Sequence, residues 1–215
     1  MSYLGKPLWP VWGIFDMTAL RRLGLFAPLA ALSLAGCGLN SVPTAEENVT
    51  AKWAHVQSEY QRRSDLIPNL VNTVKGYAQQ ERDVLTEVTN ARANASRVQL
   101  NAGDLSDPAK VRAFNDAQSQ LGGSLSRLLV TMEAYPDLKS NQNFLTLQSQ
   151  IEGTENSILV ARRDYNEAVQ GYNTRIRTFP DAIGAKIFYG AKPKVPFEAA
   201  AGSQTAPTVD FGNSN

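Results

Sequence analysis

The sequence predicts an all-α fold, an up-and-down antiparallel bundle of long helices. Three observations lead there. Apolar residues recur at alternating steps of three and four through most of residues 45–190. Turn-forming stretches, "NAGDLSD" at 101–107 and "YPD" at 135–137, interrupt that rhythm where long helices would reverse. Helix-start chemistry stands before the runs: Thr44-Ala45-Glu46-Glu47 reads as a capping box, and Asp107-Pro108 as an N-cap followed by proline at the first helical position.

The first long run follows a linker at 38–44. Its stripe is Trp53, Val56, Tyr60, Arg63, Ile67, Leu70, Val74 and Tyr77, and it continues in phase through Glu81, Val84, Val88, Ala91, Ala95 and Val98. Pro68 lacks an amide donor and crowds the preceding turn. It either kinks one long helix or opens a new one with Asp65 as N-cap, and the unbroken phase favours a kink or a very short break. Gly76 marks either a close approach of a neighbour or a second bend. Arg63 is a charged residue on an apolar seam. Its stem packs there while its head turns outward or meets a carboxylate; the functional alternative is a partner contact shared with Arg62 and Asn69.

The second run spans about 107–134, with Val111, Phe114, Leu121, Leu125, Leu128 and Met132 as its stripe. Gly122-Gly123 inside it reads as a soft spot or a close contact. The third opens near Ser140 and carries the clearest heptad: Phe144, Leu147, Ile151, Thr154, Ile158, Ala161, Tyr165, Ala168, Tyr172, then Ile176 and Phe179. It stops at Phe179-Pro180. The piece "DAIGAKIFYG" at 181–190 is expected to fold back on the bundle end, the alternative being membrane contact through Ile183, Ile187, Phe188 and Tyr189. Residues 191–215 are small, polar and proline-containing and read as a disordered C-terminal tail.

The first 37 residues read as a signal peptide rather than fold. Arg21 and Arg22 precede a short apolar run at 23–35 that ends in Leu34-Ala35-Gly36-Cys37. The run is shorter than the roughly 18 apolar residues a membrane span needs. Its end resembles a bacterial lipobox, in which a small residue admits the protease and the cysteine thiol accepts a diacylglyceryl group. Cys37 is the only cysteine in the chain and stands where that motif needs it. Residues 1–16 fit the pattern poorly, and Met17 makes a neater start. Gly38 follows Cys37, in place of the aspartate that favours inner-membrane retention. The expected location is the bacterial envelope, lipid-anchored on the non-cytoplasmic side, at the outer membrane facing the periplasm where there is one.

Composition excludes several classes. The 215-residue chain has a formal net charge of +1, so no basic field for nucleic acid exists. One cysteine and one histidine rule out an internal disulfide and a multi-cysteine zinc site. His55 lies off the seam. No Glu-x-x-His pair, nucleophile elbow, phosphate loop or dinucleotide fingerprint is present. No cofactor, metal or catalytic residue is expected, and the chain reads as a non-enzyme.

Three longer segments resemble the LemA family: "RRSDLIPNLVNTVKGYAQQERDVLTEVTNAR", "AYPDLKSNQNFLTLQSQIEGTENSILVARRDYNEAVQGYN" and "FPDAIGAKIFYG". The likeness covers about 45–197. It implies a helical bundle attached to a membrane, facing the non-cytoplasmic side, with no catalytic residues to carry over. The chain departs from it in having the lipobox-like Leu34–Cys37 where many relatives have a transmembrane helix, and in Gly153 inside a helix. The expected function is therefore an interaction or scaffold module with an envelope protein as partner. The alternative is a membrane-binding or envelope-stress protein acting through the bundle end. A third, an enzyme with an unrecognised site, has no residue pattern behind it.

Overall fold

The computed structural model describes residues 40–198. Six helices account for most of them: α1 Ser41–Lys75, α2 Arg82–Arg97, α3 Pro108–Met132, α4 Pro136–Lys139, α5 Gln142–Arg175 and α6 Asp181–Ile187. A 3-10 turn, Ala102–Ser106, joins α2 to α3. Cross-links give their directions. Lys52 of α1 meets Asp164 of α5, and Arg63 meets Glu155, so numbers rise on one helix as they fall on the other. Glu87 of α2 pairs with Arg127 of α3, and Asn94 with Gln120, so this pair is antiparallel too. Arg92 of α2 reaches back to Ser64 of α1. The four long helices thus run up, down, up, down, as the sequence predicts.

α1 starts three residues before the expected Thr44 cap. Val42 is buried, and that burial draws the helix upstream through the supposed linker. Pro43 tolerates this because the first turn has no use for its missing amide. The Thr44 hydroxyl caps nothing and donates back to the Asn40 carbonyl at 2.7 Å. Pro68 lies inside one continuous helix, on the solvent side. The carbonyl its missing amide would have bonded, that of Ser64, instead accepts from Arg92 Nε at 2.9 Å. The proline therefore opens an acceptor that ties α2 to α1.

The expected unbroken phase fails at Gly76. α1 ends at Lys75, the chain reverses through 76–81, and α2 begins at Arg82. Tyr77 is 45% exposed rather than on the seam, while Ala78 and Leu85 take the buried places. Reversal restarts the register, and Val88, Ala91 and Ala95 then follow as expected.

α3 begins as predicted. Asp107 Oδ1 accepts from the amides of Ala109 and Lys110, with Pro108 behind it, and the whole predicted stripe is buried. The helix runs through Gly122-Gly123 unbroken. α5 is capped by Asn141, whose Oδ1 accepts from Asn143 at 2.9 Å and Phe144 at 3.1 Å. Its stripe is buried through Tyr172 apart from the half-buried Leu147, but Phe179 is exposed.

The expected disordered tail needs correction over 191–198. This segment is a strap laid across the bundle. The Val195 amide donates to Leu105 O at 2.8 Å, and Phe197 is buried. Asn166 and Asn173 hold it by mimicking a strand edge: each side chain both donates to and accepts from the backbone of one strap residue, Phe197 and Lys194 respectively. Residues 199–215, and the signal segment 1–37, lie outside the described residues. No described helix is long and apolar enough to cross a membrane.

Candidate functional site

The interior holds two apolar clusters with a polar layer between them. One gathers Trp53, Tyr60, Phe114, Tyr165 and Phe197, the other Ile67, Leu125, Leu128, Met132 and Ile151. Between them sits Arg63, 2% exposed. Its Nη1 donates to Glu155 Oε1 at 2.9 Å. Its Nη2 donates to the backbone and side-chain oxygens of Gln118, at 3.1 and 2.7 Å. The guanidinium also lies 5.1 Å from the Tyr60 ring centroid. A cation on the seam is tolerated because a carboxylate and two amide oxygens surround it. The sequence shows the odd residue. It does not show Glu155, whose pairing spans 92 positions.

Arg62, Arg63 and Asn69 are not brought together. Arg62 and Asn69, seven positions apart, share the exposed face of α1, whereas Arg63 points inward. Cys37 lies outside the described residues. His55 is exposed, 4.0 Å from Glu59. No three His, Cys, Asp or Glu side chains gather as a metal site among the described residues.

The most unusual surface is the end of the bundle where α1 begins and α5 finishes. Asn40, Ser41, Tyr172 and Arg175 line one open groove of about 840 Å³ there. Burial, and then the Glu46 carboxylate, push the Tyr172 hydroxyl up to about 12. Lower in the groove, a hydrogen bond from Lys52, helped by Arg163, holds Asp164 below the usual carboxylate range. α6 docks at this end through its small residues, Gly184 and Ala185, which are buried. Its large ones face out: Ile183 and Ile187 are exposed, as are Phe179 before it and Phe188 and Tyr189 after it. The expectation that this piece packs on the bundle holds for its small face only.

The strap was missed in the sequence. Its one legible signal is the seven-residue spacing of Asn166 and Asn173, which places two amides on one face of α5.

Comparison with known proteins adds a family. The family described as LemA family matches residues 52–211. Magnetosome protein MamQ 2 of Paramagnetospirillum magneticum is 24% identical over 178 residues, covering 75% of this chain and 65% of that protein. Magnetosome protein MamQ of Magnetospirillum gryphiswaldense is 24% identical over 180 residues, covering 76% and 65%. Protein LemA of Metamycoplasma hominis is 26% identical over 124 residues, covering 58% and 52%. The chain thus spans 65% or less of the length of these relatives.

Proposed function

The chain belongs to the LemA family, and from that premise we propose that it is a lipid-anchored interaction module of the cell envelope. One observation carries the anchor. The only cysteine ends a short apolar run in Leu-Ala-Gly-Cys, three residues before Asn40, where the described bundle begins. The Cys37 thiol would take a diacylglyceryl group from a phospholipid, a C–S bond replacing the C–O bond to phosphate. Hydrolysis of the Gly36–Cys37 peptide bond would then free an amino group for a further acyl chain. Two or more chains hold a protein on a membrane stably, where one does not.

The interaction role is supported by how the charges are used. Lys52–Asp164, Arg63–Glu155, Glu87–Arg127 and Glu46–Lys194 all link one part of the fold to another. Such pairs organise a scaffold and leave the outer faces of its helices for contact. Arg62 and Asn69, on one exposed face of α1, are the contacts proposed for an envelope protein partner, with Arg63 behind them fixing the helix. The relatives' names specify no reaction, and none is proposed here.

Mass spectrometry of the mature protein tests the anchor. A chain beginning at lipid-modified Cys37 is expected, and Cys37→Ser should leave residues 1–36 uncleaved. A mature protein with a free Cys37 thiol overturns it. Covalent capture of neighbours in intact cells tests the module. A neighbour captured by the native chain should be lost on Cys37→Ser and on Arg62→Glu with Asn69→Lys. A neighbour set indifferent to all of these overturns the interaction reading.

A further inference from the structure

Five of the ten large apolar side chains exposed among the described residues fall within 179–189: Phe179, Ile183, Ile187, Phe188 and Tyr189. Phe179 is 82% exposed, Ile187 69% and Phe188 67%. Burial drives an amphipathic helix to turn its large apolar face inward. α6 does the reverse, with Gly184 and Ala185 inside. Five such exposed residues within eleven positions at one tip of the bundle mark an interaction site.

Its position and charge indicate the occupant. Arg175, the last residue of α5, shares a groove with Asn40 and Ser41, so the patch lies at the end where the chain enters the bundle. Cys37 is three residues upstream of Asn40, and three residues can span at most about 11 Å. Arg177 and Lys186 are exposed and stand in sequence among the apolar residues, whereas the exposed Lys192 lines a groove with Glu46, Asp104 and Asp107. The only acid between Arg175 and Lys192 is Asp181, and Arg175 pairs with it at 3.8 Å. Apolar and aromatic side chains interleaved in sequence with the exposed cations Arg177 and Lys186 fit the boundary between acyl chains and anionic headgroups.

We propose that this end of the bundle docks directly on the surface of a lipid bilayer, with Phe179, Ile187 and Phe188 entering the headgroup–acyl boundary and Arg177 and Lys186 meeting anionic headgroups. The long helices then stand away from the membrane, and the turns at 76–81 and 133–141 are the distal tip. The exposed patch is independent of the anchor, but the orientation towards the bilayer rests on the lipidation of Cys37 proposed above.

The test uses the full chain purified from its membrane and reconstituted in vesicles of phosphatidylcholine with and without phosphatidylglycerol. A fluorophore is placed at Ile187→Cys or, as the distal control, at Leu145→Cys, and acyl-brominated lipid is the quencher. Both positions are exposed, so labelling leaves the core intact. Quenching at 187 should exceed that at 145 several-fold and should rise with phosphatidylglycerol. It should fall when Arg177 and Lys186 are changed to Gln. Equal quenching at the two positions overturns the proposal, as does a 187 label that is shielded by a second copy of the chain in detergent. The mass of the N-terminal peptide reports the anchor separately. Lipidated Cys37 without quenching at 187 defeats the docking alone. Where Cys37 is unmodified its thiol takes label in both variants, so quenching of the 187 variant in excess of the 145 variant defeats the anchor alone.

Discussion

The two halves of the bundle are packed with different side chains. At the end where the chain enters, Trp53 meets Phe114 at 5.3 Å and Tyr165 at 5.8 Å between ring centroids, and Tyr165 meets Phe197 at 5.3 Å. At the distal end the core is aliphatic, with Ile67, Leu70, Val74, Leu121, Leu125, Leu128 and Leu138, and Phe144 is its one fully buried ring. The difference follows what each half must hold in place. Trp53 Nε1 donates to Leu100 O at 3.1 Å, and the Tyr165 hydroxyl donates to Val195 O at 3.0 Å. Both acceptors are carbonyls of non-helical chain, which no helix ladder satisfies. Aromatic residues with a polar tip fill the core and bind those carbonyls at once. This lets α2, with 16 residues against 35 in α1, stop short and be continued by irregular chain. The distal half is closed by tight turns between helices, and hydrocarbon is enough.

The largest effect expected is from Trp53→Ala. Removing a fully buried tryptophan costs about 4 kcal/mol, and Leu128→Ala in the distal half about 3 kcal/mol. The comparison turns on where the damage shows. Trp53→Ala should raise amide hydrogen exchange at 98–101 and 194–198, whose carbonyl partner or packing it removes. Leu128→Ala should leave those segments protected. Equal exchange in the two variants would mean that the aromatic core does not hold the irregular chain.

Arg63 marks the boundary, and the next effect is smaller. Arg63→Ala should destabilise by about 2 kcal/mol, because it empties buried volume and leaves Gln118 without its donor. The loss stays at the low end because Glu155 remains reachable by water. Arg63→Met fills the same space with hydrocarbon and joins the two clusters. It should cost less than about 1 kcal/mol or stabilise, as replacement of buried ion pairs by apolar groups often does. Urea midpoints separate the two. If Met costs as much as Ala, the hydrogen bonds of the layer, rather than its volume, hold the halves in register.

Much of this was legible in the sequence, and the failures have physical causes. The stripes of α3 and α5 could be read because each helix is continuous and buries one face throughout. The reversal at 76–81 was signalled only by Gly76, which a bend or a close approach explains equally, and Tyr77 happens to fall on the heptad step and carries the rhythm across. Periodicity records which face is apolar and is blind to chain direction. The strap was hidden by composition: Ala191 to Phe197 has two prolines and two lysines, and its order is supplied by Asn166 and Asn173 from a distant helix. Which face of α6 turns inward could not be read, because the buried residues are the small Gly184 and Ala185 and not the large apolar ones that periodicity puts inside. Of the candidate site residues, Arg63 could be singled out as a charge on an apolar seam. Its partners lie on two other helices, which no local pattern records.

The paired glycines of α3 sharpen the boundary further. The sequence leaves open whether they are a soft spot or a close contact. A Cβ at Gly123 meets nothing within 4 Å, and one at Gly122 would sit 3.5 Å from Arg63 Nη1, an ordinary contact. Gly123→Ala should therefore stabilise by up to ~1 kcal/mol, the usual gain of alanine over glycine inside a helix. Gly122→Ala should gain no more than that, since the guanidinium is held by Glu155 and Gln118 and has little freedom to yield. Thermal unfolding of the two variants checks the order, and a loss in Gly123→Ala would show that α3 needs its flexibility there.

The smallest effect separates the halves by pH. In the aromatic half, Lys52 Nζ lies 3.1 Å from Asp164 and ties α1 to α5. Its hydrogen bond, with help from Arg163, holds the Asp164 carboxyl below the usual range. A depressed carboxylate adds stability that is complete above the unfolded value, about 3.9 for Asp, and is lost as pH falls through the lower folded value. Asp164→Asn removes that contribution without changing the side-chain shape. The unfolding midpoint of the native chain should exceed that of the variant slightly at neutral pH, and the gap should close as the medium is acidified past the carboxylate range. Because the pair is solvent-accessible, the gap should also shrink in high salt. A gap that stayed constant with pH would show that the shape of the α1–α5 contact, and not its charge, is what Asp164 contributes.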